Sequence, residues 1–470
     1  AGYANLDRME INGSNYFESL EAFQKAVARA RRGEGPTVVV SQVPRLLPHS
    51  SSDDHRKYRS PEELEKDRQR DPLLIFEKLC TEAGVLSSED FRKMEEETLQ
   101  KINEVTEWAE KQEDPDPSTA TRYVFASWLE KGKEEPPKSV GEKTMMVDAL
   151  NHALHEEMER NPKMVVYGQD IADPKGGVFT VTRGLSKKFG KERAFNAPLA
   201  ESSIVGTAIG MAVHGFKPVV EIQFVDYIFT AMMQIRNELA TLYYRSNGAY
   251  KCPVVVRTTC GGYIHGGLCH SQSNEAFFTH VAGLRVFFPS NAADAKGLLK
   301  AAIRGDDPVL FLEHKALYRQ AFAASPEPDS DYVLPPGIAK ILKEGEDLTV
   351  ISWGLLVHRC LEAANKVEEE LGASVEVLDL RTLCPLDKEA ILESVKKTGK
   401  ALIVHEDNIT SGFGGEIAAI ISSEAFEYLD GPVQRIAGKD APIPYSPVLE
   451  PAVLPQPEDL YRGMKDLILY

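Results

Sequence analysis

The glycine-rich stretch TCGGYIHGGLCHSQS at 259–273 places His265 and His270 five positions apart. Histidine is the side chain whose ordinary pKa suits proton transfer near neutrality, and glycine lets backbone approach a ligand closely. Five residues is not the i, i+4 spacing that puts two ligands on one helical face, so either histidine can act alone or serve as a structural hydrogen-bonding group. Cys269 beside His270 raises the idea of a thiolate nucleophile. A catalytic cysteine needs an arranged base, and the glycine loop favours reading this one as a small residue. Glu201 opens the mostly apolar pattern ESSIVGTAIGMAVHG. The helix dipole welcomes an acid there, whereas burial in so apolar a setting would raise its pKa and let it hold a proton; sequence alone leaves both readings open. The loop PHSSSDD carries His49, Ser50, Ser51, Ser52, Asp53 and Asp54 after a β-branched run, and reads either as a helix-capping cluster or as a substrate loop. GFGG at 412–415 invites a dinucleotide reading, but the third glycine of G-x-G-x-x-G is replaced by Ile417. No G-x-x-x-x-G-K-[ST] occurs, which excludes a P-loop.

The chain has 470 residues, enough for about three domains of roughly 150 residues each. Its composition, 43% hydrophobic and 27% charged, excludes disorder along the whole length. Lys plus Arg number 54 against 71 Asp plus Glu, a net charge of −17, which argues against nucleic acid or an anionic membrane as a partner while leaving room for one local basic site. No apolar run of about 18 residues is present to form a membrane span. The opening residues AGYANLDRMEINGSNY lack a basic n-region and an apolar h-region and do not start with Met; the expectation is a chain without a secretory signal, a processed product or a fragment. Six scattered cysteines without a C-x-x-C pair indicate neither a disulfide framework nor a structural zinc site. They fit a reducing cytoplasm, with the mitochondrial matrix as the alternative.

The elements that must carry these residues alternate. Residues 17–32 have helical spacing and stop at Gly33 and Gly35. PTVVVSQV at 36–43 reads as a buried strand. PEELEKDRQRDPLLIFEKL should bend at its second proline, and 88–112 reads as a long surface helix. One helix–strand–helix set cannot cover a sheet on both faces, so this segment looks like the tail of a larger α/β domain. Residues 113–142 read as a linker with an apolar anchor at Tyr123–Leu129. From 143 onward helices alternate with the strands MVVYGQD, KPVVEIQF, CPVVVRTT and PVLFLEH, the pattern of a parallel sheet covered on both faces. After a Pro- and Asp-bearing connection the alternation resumes with DLTVISWG, SVEVLDL, ALIVHED and PVQRIAG, a second and smaller α/β domain. Ligands of such sheets bind at the carboxyl ends of the strands.

Several motifs converge on one family. PLAESSIVG, EIQFVDYIF, HGGLCHSQSNEAFF, FFPSNAADAKGLLKAAIRGDDPVLFLEHKALYR, VEVLDLRTLCPLD and HEDNITSGFGGEI make residues 143–470 resemble the beta subunit of the decarboxylating component of 2-oxoacid dehydrogenase complexes. RRGEGPTVVV and LLPHSSSDDHRKYRSPEELEKDRQRDP make residues 1–112 similar to the end of the alpha subunit. The resemblance implies an α/β fold: a transketolase-like, thiamine-diphosphate-binding parallel-sheet domain at 143–335 and a C-terminal α/β domain at 336–470. The tail of a second thiamine-diphosphate domain at 1–112 and the linker 113–142 precede them. It implies thiamine diphosphate with Mg2+, oxidative decarboxylation of a branched-chain 2-oxoacid, and reductive acyl transfer to a lipoyl group of the acyltransferase component. Pyruvate is the alternative substrate, and a non-catalytic scaffold subunit the alternative role; a transketolase-type sugar-phosphate enzyme would need binding arginines that are not identifiable. By the same resemblance Glu201 shares a proton with the cofactor's aminopyrimidine, Tyr227 lies beside that ring, His270 and His49 are active-site histidines, and Ser50 matches a regulated serine. Backbone carbonyls near Ala302, Gly305 and Asp307 are implied to bind a monovalent cation, K+. One departure is large: the family's G-D-G motif with its later Asn, which anchors diphosphate and magnesium, is absent from all 470 positions. The expected partners are therefore an alpha-type N-terminal part, a second copy across a two-fold axis and the acyltransferase, with the chain inactive alone.

Overall fold

A computed structural model describes residues 5–126 and 132–470. The chain divides into two units, Ala1–Asp116 and Pro117–Tyr470.

In the first unit, strands Asp7–Asn12 and Thr37–Gln42 pair in parallel through the crossover helix Tyr16–Arg31. Asn15 caps that helix by accepting the Phe17 and Glu18 amides, and Gly33 follows its end at φ +73°. The expected proline bend is present: helix Pro61–Arg68 ends before helix Pro72–Glu82, whose first residue is that proline. A Ser87/Asp90 capping box starts the helix Ser88–Glu110, which buries no residue. The expectation of a buried strand at 36–43 is corrected. Val38 is 44% exposed and Val43 63% exposed, because among the described residues helix Tyr16–Arg31 covers one face of this two-stranded sheet and nothing covers the face that carries Val38. Tyr16, Phe17, Phe23, Leu73 and Leu74 are exposed as well.

The second unit holds two larger sheets. The first runs in the order Thr382–Cys384, Arg285–Phe287, Val309–His314, Val255–Cys260, Lys217–Phe224, Met164–Gly168, Ala194–Asn196. All neighbours are parallel except the first pair. Successive residues face opposite layers: Val220, Val256 and Leu310 enter one core, and Val219, Val255 and Val309 the other. The second sheet runs Lys340–Lys343, Val375–Asp379, Leu348–Ser352, Ala401–Asn408, Gln434–Gly438, with only Lys340–Lys343 antiparallel. Its residues Ile351, Leu378 and Ile403 share a core with Val220 and Val256, so the two sheets pack as one body. Strand Thr382–Cys384, late in the chain, completes the edge of the earlier sheet.

Charges are buried in the larger sheet. Arg257 holds Glu313 with two bonds, at 2.7 and 2.8 Å, and Glu221 at 2.7 Å. The Tyr318 hydroxyl donates to the same Glu313 at 2.5 Å. Arg257 is 1% exposed and Glu313 fully buried.

Two departures from the sequence reading concern connections. The alternation predicts a helix, DYIFTAMMQIRNELATLYY, between the strands KPVVEIQF and CPVVVRTT; the segment is instead a 3-10 turn at Val225–Ala231, a π-type turn at Gln234–Leu239 and a short helix at Leu242–Arg245. Part of the linker is a strand, Val140–Thr144, antiparallel to Ser325–Pro328. Of the apolar anchor Tyr123–Leu129, the described part is tied down: the Tyr123 and Tyr243 rings meet edge-on with centroids 5.6 Å apart, and the Ala126 amide donates to Asp307 at 2.7 Å. Residues 127–129 lie outside the described residues, as do 1–4 of the opening segment. Among the described residues no helix is long and apolar enough to cross a membrane.

Candidate active site

The carboxyl ends of neighbouring strands in the seven-stranded sheet bring four positions together. Gln169 follows strand Met164–Gly168; Glu201 begins helix Glu201–Val213 after strand Ala194–Asn196; Tyr227 lies in the turn after strand Lys217–Phe224; His270 lies in the loop after strand Val255–Cys260. The Glu201 carboxylate is half-buried and accepts from Gln169 Nε2 at 2.8 Å and from Thr230 Oγ1 at 3.0 Å. Thr230 also bonds the Tyr227 carbonyl at 3.1 Å, and the Tyr227 hydroxyl lies 3.1 Å from His270 Nε2. Glu201, Thr230, Tyr227 and His270 thus form one connected group. Phe224 meets the His270 ring edge-on at 4.6 Å between centroids.

Of the two readings left open for Glu201, the balance of local interactions favours the ionised acid at a helix N-terminus. Burial is the largest influence and pushes the carboxyl up, but bonds from Gln169, its own amide and Thr230 together outweigh it and bring it below the usual carboxylate range. The carboxylate is ionised and half-buried. Tyr227 is shifted the other way, by burial and then by the negative potential of Cys269, Asp226 and Glu201. The Tyr227 hydroxyl and His270 Nε2 share one hydrogen bond, whose direction follows the ring tautomer.

The His270 loop is held from the C-terminal domain. Buried Glu406 accepts from the Gly262 amide at 2.5 Å and from Ser273 Oγ at 3.1 Å, and lies 2.7 Å from His314 Nε2. Gly261, at φ +89°, leaves space that a Cβ would take from the His314 ring. His265 bonds Glu450 through Nδ1 at 2.7 Å, so of the two loop histidines this one is structural. Replacing Glu406 by Ala strands three buried donors, at about 1–3 kcal/mol for an unsatisfied group. The expected result is amide hydrogen exchange across 261–273 faster by roughly 5–150-fold, with strand Val255–Cys260 unaffected; unchanged loop protection would show that Glu406 does not hold it.

His49 belongs to the N-terminal unit. It is exposed, and its amide donates to Asp53 at 2.9 Å, which also accepts from the Tyr58 hydroxyl at 2.7 Å. Ser50 is exposed and 3.1 Å from Ser52 Oγ. The capping role considered for the serines falls instead to Asp54, which accepts from the Arg56 amide. Cys269 is free and exposed. The glycines of GFGG make room for a side chain: a Cβ on Gly412 or Gly414 would meet the His405 ring at 2.5 Å.

The donor set suits a flat heteroaromatic ring. A carboxylate with acceptor capacity left and the rings of Phe224 and Tyr227 lie at the same strand ends, and Asp226 Oδ2 and Ser271 Oγ are buried without hydrogen-bond partners. A divalent ion finds no comparable set: among the described residues no three His, Cys, Asp or Glu side chains are grouped to hold a metal. The monovalent site fits poorly too, since of the backbone carbonyls implied for it the Gly305 carbonyl already accepts the Lys217 ammonium.

Gln169, Thr230 and Glu406 were not anticipated. A strand-end position was the only signal for Gln169, and Glu406 sits in ALIVHED, which reads as an ordinary buried strand.

Comparison with known proteins agrees with the fold. Residues 142–320 match the family "Transketolase, pyrimidine binding domain", 337–460 match "Transketolase, C-terminal domain", and 4–118 match "Dehydrogenase E1 component". The fold and site define a transketolase-type α/β protein. The 2-oxoisovalerate dehydrogenase subunit beta of Bacillus subtilis is 49% identical over 322 residues, 68% of this chain and 97% of that one. The mitochondrial subunit beta of Dictyostelium discoideum is 44% identical over 336 residues, 71% of this chain and 89% of that one. A solved structure titled "Split gene transketolase, inactive beta4 tetramer" aligns at TM-score 0.56 and 26% identity, covering 70% of this chain and 99% of its own. The chain belongs to the 2-oxoacid dehydrogenase E1 family, with a beta-type body of the 2-oxoisovalerate dehydrogenase kind behind an E1 alpha-type end.

Proposed function

We propose that this chain works in the thiamine-diphosphate-dependent oxidative decarboxylation of branched-chain 2-oxoacids, with reductive acyl transfer to a lipoyl group on an acyltransferase. The observation that carries the reading is the connected group of Glu201, Thr230, Tyr227 and His270 at the carboxyl edge of a pyrimidine-type sheet. Thiamine diphosphate, when bound, supplies a carbon nucleophile and an electron sink. Glu201 would hold the cofactor's pyrimidine ring, its carboxyl group in the protonated form donating to a ring nitrogen and sharing that proton. A ring that covers this carboxylate removes water from it and moves its pKa upward from the low value of the open chain, toward sharing. Tyr227 and Phe224 supply the aromatic walls. His270, oriented by the Tyr227 hydroxyl, offers a ring N–H to the substrate carboxylate or to the acyl group in transfer. His49 takes the second histidine role, and exposed Ser50 is the position open to regulation. The retained acid and histidines speak against a scaffold role.

Diphosphate and Mg2+ are held by an alpha-type partner part, a reading supported by the absence of a G-D-G…Asn motif from these 470 residues. A second copy across a two-fold axis completes the assembly. Six free cysteines, four of them buried, suit a reducing setting, the cytoplasm or the mitochondrial matrix. The expected result is no release of carbon dioxide from 3-methyl-2-oxobutanoate by this chain with cofactor and magnesium, and turnover once the alpha-type part is added. Turnover by the chain alone would refute the assignment of the diphosphate end. In the reconstituted enzyme the branched substrate should lead pyruvate in kcat/KM by more than about tenfold, given roughly 1–3 kcal/mol per methylene in an apolar pocket.

A further inference from the structure

Strand Lys217–Phe224 begins with a lysine whose side chain is only 21% exposed. Its amide is fixed to the Lys163 carbonyl at 3.1 Å, and its ammonium donates to the carbonyl of Gly305. Gly305 ends the helix Ala292–Arg304, and its own amide returns to Ala301. The last carbonyls of a helix lack partners and carry the negative end of its dipole, so this place favours one positive charge. Asp306 adds a carboxylate 3.8 Å from the Lys217 ammonium, and Lys251 balances it from the other side at 2.7 Å. The next acid, Asp307, is committed to Arg285 and the Ala126 amide. Burial lowers the Lys217 pKa, and Asp306 opposes that shift. A free monovalent ion on the Gly305 carbonyl would sit against this ammonium, and two like charges do not share a half-buried site.

We infer that Lys217 is a tethered monovalent cation: its ammonium takes the place at the Gly305 turn that a free potassium ion was expected to occupy, and the fold needs no such ion. The inference concerns stability and is independent of the chemistry proposed above.

The test is thermal melting of the full chain in potassium chloride and in choline chloride at equal ionic strength. The parent should melt at the same temperature in both. Lys217→Met should melt several degrees lower in choline and recover in potassium, as the vacated carbonyl accepts the ion; a variant that folds only in potassium counts the same way. Lys217→Arg, which keeps the charge, should be as indifferent to potassium as the parent. A parent stabilised by potassium over choline would overturn the inference. So would a Lys217→Met chain that melts like the parent in choline, or one that no monovalent ion restores, which would make the lysine a plain helix cap.

Discussion

Glu201→Gln in the enzyme reconstituted with its alpha-type part is expected to lower decarboxylation by about 10²–10⁴-fold, the usual worth of a positioned proton-transfer group. The substitution keeps the side chain's size and an oxygen acceptor for Gln169 Nε2 or Thr230 Oγ1, so the fold should survive. Melting of the variant should stay close to the parent while carbon dioxide release collapses. Activity above about a tenth of the parent, well short of the usual proton-transfer range, would remove Glu201 from the mechanism. The pH dependence has a definite sign. The folded carboxyl lies below its ordinary value, so its contribution to stability is present above the unfolded pKa and is lost as pH falls through the lower folded one. The Gln variant should lack that acid-side loss.

Arg257→Leu should be the most damaging single change to the fold. It leaves Glu221 and Glu313 buried with no cation. Breaking a buried ion pair from one side costs about 3–5 kcal/mol, and each kcal/mol shifts melting by about 2–4 °C in a domain of this size. The expected fall is therefore on the order of 6–20 °C. Replacing all three charges together with Leu, Leu and Met should recover much of it, because the cost lies in the unpaired carboxylates. A single variant within about 1 kcal/mol of the parent would mean that water reaches this cluster.

The alternation of helices and strands from 143 to 438 was legible because parallel strands buried on both faces read as unbroken apolar runs, as VVV at 254–256 does. What stayed hidden was set by distant partners. Strand Thr382–Cys384 is three residues long and exists through its pairing with Arg285–Phe287; nothing local marks it. The run after Phe224 has helical composition but becomes irregular turns, which aim Tyr227 and Thr230 at Glu201 and His270. Position 201 was singled out from the sequence with two readings of its acidity left open; an apolar helix alone does not choose between them, because the two side-chain donors that do come from elsewhere in the chain. At 36–43 three valines in a row suggested burial that requires a covering layer.

The two-stranded sheet of the N-terminal unit, covered by helix Tyr16–Arg31 on one face only, bears on how the protein can be handled. Two strands leave both outer rims unpaired among the described residues, with Val38, Tyr16, Phe17 and Phe23 open to solvent nearby. Such rims template association with foreign strands, and greasy side chains beside them make it adhesive. Material made by itself will drift toward precipitates, and synthesis in the same cell as the alpha-type half is the route to soluble yield.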